Sequence, residues 1–172
     1  REDGPGYERL RELNAFYEDE DHSVEQVRNQ VCSVLQKLFC DWSSPNDAAF
    51  GKAGRAFFSL YGLNPYRAFA AGQETFLARM RSAAPGVRWE TLRRLWRDVE
   101  SSVRLILPPD LVGIWERRLA ELMAAYDRHI DRKEAIRQEM LSIYVRLPEY
   151  ARLTATGVGD FALARIVAET GA

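Results

Sequence analysis

From Val112 to Leu147, stripe residues recur at alternating steps of three and four: Val112, Trp115, Leu119, Leu122, Tyr126, then His129 and Lys133, then Ile136, Met140, Ile143 and Leu147. A spacing that averages 3.5 keeps one face of an α-helix turned to one side. A strand cannot use it, because strand side chains alternate at every residue. The double proline Pro108-Pro109 opens the segment with a fixed φ that suits a first helical turn. We predict one helix over about 110–146. Five heptads of a single stripe form the pattern of a coiled-coil seam, and polar seam residues such as His129 and Lys133 fix register or partner number. On that reading Trp115, Leu119, Leu122, Tyr126, His129, Lys133, Ile136 and Met140 pair the chain with a second copy. The alternative is that the helix packs on its own domain, with the polar pair facing solvent.

The rest of the chain also reads as helix. Residues 7–18 place Leu10, Leu13, Phe16 and Tyr17 at helical spacing and run into the acidic knot Glu18-Asp19-Glu20-Asp21, read as an end. Ser23 then caps a second amphipathic helix to about Trp42, with Val24, Val27, Val31, Val34, Leu35, Leu38 and Phe39 on one face. Ser43-Ser44-Pro45-Asn46 reads as a break and cap. A helix near 47–61 buries Phe50, Phe57, Phe58 and Tyr61, although Gly51 and Gly54 weaken it. Asn64-Pro65 starts a short helix in the cap-then-proline order, and Gly72 ends it. Further helices cover about 74–84 and 89–105, parted by Ala84-Pro85-Gly86. There is no strand pattern and no internal repeat.

The last segment is a short helix, the turn Gly157-Val158-Gly159, and a second helix with Phe161, Leu163, Ala164, Val167 and Ala168 on its apolar face and Gly171 at its C-cap. This is a helix-hairpin-helix pattern. Two glycines ahead of a helix start let backbone N–H groups and the positive helix end approach a phosphate. Thr156, Gly157, Val158, Gly159 and Arg165 are therefore candidate nucleic-acid contacts. A tight turn between helices would want the same glycines for packing alone. The expected fold class is all-α and elongated: a helical region 1–106, a long coiled-coil-like helix 107–147, and a helix-hairpin-helix in 148–172.

Charge is close to balanced overall, at −1 over 172 residues, but unevenly spread. Residues 1–30 hold nine acidic against four basic side chains, whereas 79–104 holds seven arginines against Glu90, Asp98 and Glu100. A polyanion would meet the second segment first. Within it, Trp89, Leu92, Leu95, Trp96 and Val99 fall on one helical stripe and leave Arg93, Arg94 and Arg97 outward, as a phosphate-contacting face or as solvated surface. Cys32 and Cys40 lie eight residues apart on one predicted helix, about 12 Å by helical rise and beyond disulfide reach. That favours a reduced, cytoplasmic setting. No apolar run has the length of a membrane span, and the charged start Arg1-Glu2-Asp3 is unlike a signal peptide. His22 and His129, the two histidines, lack partners at metal-ligand spacing, and no nucleophile, phosphate-loop or dinucleotide motif occurs. We expect no catalytic residue and no metal site. The start without Met and the halt soon after the hairpin suit a piece of a longer protein.

These segments together resemble the middle of insertion-sequence transposases of the IS one-ten group, the bridge-RNA-guided DEDD recombinases. Leu10-Arg11-Glu12-Leu13, Val27-Arg28-Asn29-Gln30-Val31 and Leu35 through Phe39 look like the helical segment after that family's nuclease core. The stretch Asp110–Arg146 looks like its coiled coil, and Leu153 to Gly171 like the hairpin that opens its C-terminal domain. Thr156 stands where the family commonly has a proline, which predicts a less rigid turn. The resemblance implies an RuvC-like nuclease domain on the N-terminal side and a catalytic serine beyond the hairpin, neither within these residues. A divalent metal would belong to that nuclease domain, leaving this chain without a cofactor of its own. DNA, structured guide RNA and a second copy of the chain are the implied partners, with no membrane. The rival readings are a non-catalytic helical protein-interaction module and a repair-type helix-hairpin-helix DNA-binding protein.

Overall fold

A computed structural model describes residues 4–40, 42 and 48–170. They form eight α-helices and two 3-10 turns, and no strand occurs among them. The helices are α1 (Pro5–Leu38), α2 (Lys52–Tyr61), α3 (Pro65–Ala71), α4 (Gln73–Ala83), α5 (Trp89–Ser102), α6 (Pro109–Tyr144), α7 (Glu149–Leu153) and α8 (Asp160–Thr170). The protein is all-α, with the long helix where the heptad stripe places it. Two compact units share the chain. The first combines Arg1–Gln26 with Tyr126–Ala172, and the second is Val27–Ala125. These are not the sequence-order blocks 1–106, 107–147 and 148–172, because α1 and α6 each give one segment to either unit.

In the first unit, Leu10 and Leu13 of α1, Met140 and Tyr144 of α6, and Leu163, Ala164, Val167 and Ala168 of α8 form one buried cluster. Phe161, half-buried, packs against it. The apolar face expected for the last helix is therefore the face that docks it. The α1 and α6 segments run antiparallel, since Arg9 meets Glu139 at 2.5 Å while Glu20 meets His129 at 2.6 Å. Tyr7 donates to the Glu149 carboxylate at 2.5 Å and ties α7 to the start of α1.

The break expected after Glu18-Asp19-Glu20-Asp21 does not occur: α1 continues through it, and Ser23 is an interior residue whose hydroxyl donates to the Asp19 carbonyl at 2.9 Å. The reason lies across the unit. Glu18 pairs with Arg165 at 2.8 Å, Glu20 with His129 at 2.6 Å and Arg132 at 3.7 Å, and Asp21 with Lys133. Cations from α6 and α8 offset the like-charge repulsion that would otherwise end a helix there.

In the second unit, Val27, Val31, Val34, Leu35, Leu38 and Phe39 are buried, as the one-face pattern requires. The helix expected near 47–61 is a 3-10 turn at Ala48–Phe50 followed by α2. Gly54 allows this, because a Cβ there would run into the backbone of Ala48 and Ala49. Asn64 caps α3 through its side-chain oxygen, which accepts from Tyr66 N–H at 2.9 Å and Arg67 N–H at 3.3 Å, and Pro65 takes the first helical position. Helices α3 and α4 both pack on α5, and α2 packs on α4. The Ser43–Asn46 break and the Gly171 cap lie outside the described residues.

Candidate nucleic-acid interface

The hairpin is built by α7, the 3-10 turn Thr154–Thr156 and the start of α8. Gly157 has φ +74°, a left-handed conformation that L side chains rarely adopt. A Cβ at Gly157 or Gly159 would meet nothing within 4 Å. No packed neighbour therefore requires these glycines, although the left-handed φ of Gly157 is what the tight turn itself needs. Thr156, Gly157, Val158 and Gly159 are all exposed, and the turn is presented to solvent. The Thr156 hydroxyl donates to the Leu153 carbonyl at 2.7 Å and accepts from Val158 N–H at 3.5 Å. A side chain expected to loosen the turn thus bonds both sides of it.

The first helical bond of α8 runs from Leu163 N–H to the Gly159 carbonyl at 3.2 Å. The amides of Asp160, Phe161 and Ala162 have no acceptor within the helix, as at any helix start. Asp160 lies in that first turn, so an incoming anion shares the positive end with a carboxylate and gains less there.

Arg165 is placed differently from the sequence expectation. Its Nε donates to Asn14 Oδ1 at 3.0 Å and a terminal nitrogen to Glu18 at 2.8 Å, while the guanidinium lies 5.6 Å from the Tyr17 ring centre. It fastens α8 to α1. The seam polar residues are likewise engaged inside the first unit. His129 meets Glu20, and Lys133 meets Asp21 and lies 5.0 Å from the Tyr17 ring. Burial pulls the Lys133 ammonium down, but the Asp21 and Tyr17 contacts together lift it above its ordinary value. Ile136 packs on the core, and Met140 is buried within it. In the second unit Leu119 and Leu122 are buried and Trp115 is half-buried, as is Tyr126 in the first. The folded chain itself covers much of the seam, and the polar pair faces the acidic side chains of α1 and not solvent, whereas Trp115, Tyr126 and Ile136 stay partly open.

On α5, Leu92, Leu95, Trp96 and Val99 are buried, but Trp89 is 44% exposed with the Arg81 guanidinium 5.3 Å from its ring centre. As the first residue of α5, it lies where the stripe leaves the core. Arg93 and Arg97 are exposed as expected; Arg94 is half-buried, with its Nε buried and unpartnered among the described residues. The outward basic face of α5 is thus Arg93 and Arg97. Arg137, absent from the candidates drawn from sequence, lies over the Phe161 ring at 5.2 Å beside the hairpin. Only its place next to stripe residue Ile136 could have drawn attention to it.

A depression of about 730 Å³ at the start of α6 is lined by Arg67, Asp110, Glu116 and Arg117. Arg67, though mostly exposed, pairs with Glu116 at 3.0 Å. No group of three or more His, Cys, Asp or Glu that could hold a metal ion occurs among the described residues. No helix among them is long and apolar enough to cross a membrane. The chain matches no family model, no curated protein and no solved structure.

Proposed function

We propose that this chain is the nucleic-acid-holding, non-catalytic middle of a DNA transposase, as its resemblance to the IS one-ten group implies. DNA and a structured guide RNA are its ligands, and absent domains cut and exchange strands. The observation that carries the reading is the solvent-presented Gly-Val-Gly turn, whose glycines face open space instead of a packed neighbour. Backbone donors of this kind contact phosphate without reading sequence. Asp160 at the helix start keeps that contact weak, so the reading also needs the arginines of α5.

The protein-interaction module is the competing account, and the internal engagement of Arg165, His129 and Lys133 favours it. Binding of labelled duplex DNA and folded RNA at low salt separates the two. Gly157→Val places a β-branched residue at φ +74° and should weaken binding by distorting the turn. Removal of Arg93 and Arg97 should flatten the salt dependence by about one counterion for each phosphate left without its arginine. Absence of binding, or binding indifferent to both changes, favours the interaction module.

A further inference from the structure

The aromatic residues of the second unit form a chain that ends at the surface. Phe57 meets Phe76 at 5.5 Å, Phe76 meets Trp96 at 5.4 Å, and Trp96 meets Phe69 of α3 at 5.9 Å with the rings only 8° from parallel. Phe57, Phe76 and Trp96 are buried, whereas Phe69 is 46% exposed. A ring needed only to fill the core would be covered. Here the buried indole supports a phenyl ring that remains open to solvent.

Phe69 lines a depression of about 510 Å³ with Tyr66, Val103 and Arg104. Glu100 is common to that wall and to an adjoining depression of about 390 Å³ lined by Arg93, Trp96 and Arg97. The two adjoin at Glu100 as the two parts of a groove beside α5, the second also lined by Gln73 and Glu90. Arg93, Arg97 and Arg104 are exposed, and no ion pair among the described residues engages them. Arg93 and Arg97 are one turn apart, about 6 Å along the helix axis. The Tyr66 hydroxyl donates to the Leu105 carbonyl at 2.5 Å and ties α3 to the segment after α5.

We propose that this groove binds a single strand of nucleic acid, with a base stacked on Phe69 and phosphates met by Arg93, Arg97 and Arg104. The inference rests on the nucleic-acid reading above and narrows its ligand to unpaired nucleotides. A duplex keeps its base faces stacked inside and offers nothing to an exposed ring, whereas an unpaired base offers its full face. Glu90 and Glu100 on the same surface repel phosphates and peptide carboxylates alike, so the exposed ring and not charge alone favours a strand with unpaired bases over an acidic peptide. Base amino groups instead donate hydrogen bonds to such carboxylates.

The test is fluorescence anisotropy of the full chain with a labelled deoxycytidine oligonucleotide of about 12 residues, whose bases carry the amino group the carboxylates would accept from, within the known range of single-strand site sizes, at low salt. A mixed-sequence duplex of equal length and an acidic peptide serve as competitors. The single strand should bind in preference to the duplex. Phe69→Ala should weaken it roughly five- to hundredfold, and Phe69→Trp should retain it. Circular dichroism should show that both variants stay folded. Arg93→Gln with Arg97→Gln should reduce the logarithmic salt slope by about 0.7 for each phosphate left without its arginine. A folded Phe69→Ala variant that binds normally, a preference for duplex, or displacement by the acidic peptide overturns the proposal. Duplex binding that Gly157→Val abolishes, without single-strand binding, sinks this inference and leaves the broader reading standing. Binding of neither, with folded RNA also unbound, removes both.

Discussion

Gly54 and Gly159 should respond in opposite ways to an added methyl group. At Gly54 the new carbon meets the backbone of Ala48 and Ala49, which cannot swing aside as a side chain can. Gly54→Ala should cost about 1–3 kcal/mol in denaturant melts, the usual cost of overpacking. Gly159→Ala enters open space and should leave the midpoint nearly unchanged. Tyr144 offers a gain instead. Its hydroxyl is buried without a partner among the described residues, so Tyr144→Phe should stabilise the protein by about 1 kcal/mol at neutral pH. Burial, then the nearby Asp160, Tyr150 and Glu149, raises the Tyr144 pKa above its ordinary value of 10.0, and Lys133 is raised above 10.5. A raised folded pKa gives stability that is complete below the unfolded value and lost as pH rises through the folded one. Thermal midpoints should therefore fall once pH exceeds about 10, and less so in Tyr144→Phe. Much at this scale was legible. Asn64-Pro65 announced its own cap, because the cap chemistry is local. Arg165 could not be placed, because its partners Asn14 and Glu18 lie far away in sequence.

Among the elements, the long helices show what periodicity conveys and what it leaves open. The stripe from Val112 to Leu147 located α6 to within about two residues, since a helix needs only its own spacing to be recognised. It could not say what covers the stripe. A second copy and the same chain bury the same side chains, and the sequence pattern is identical for both. For α1 the failure is electrostatic. Four consecutive acidic residues read as a terminus because their partners, the cations Arg132, Lys133 and Arg165 and the His129 ring, come from α6 and α8. With Leu119 inside the fold, Leu119→Ala should cost about 2–5 kcal/mol as a buried leucine truncation. Leu119→Glu with Leu122→Glu should lower helicity and the melting midpoint. A folded monomer from that double change, replacing a parent dimer in sedimentation, would restore the coiled-coil reading.

For the molecule as a whole, the candidate contacts are split between the compact units. The glycine turn belongs to the first, and the arginine and aromatic groove to the second. All-α architecture was readable throughout. The unit boundaries were not, because they cut through α1 and α6 where the helical pattern is continuous. The groove on α3 and α5 was also hidden, since Phe69 sits on a seven-residue helix too short to display a pattern. The chain by itself should neither nick nor join supercoiled plasmid, with or without Mg²⁺. Nicking that copurifies with it and vanishes on one carboxylate change would reveal a missed site. Nucleic-acid holding is tested by equilibrium binding of the full chain to duplex DNA and folded RNA at low salt. Binding should weaken steeply with salt and be reduced by Gly157→Val. No binding to either ligand, or binding unaffected by that substitution and by loss of Arg93 and Arg97, contradicts it.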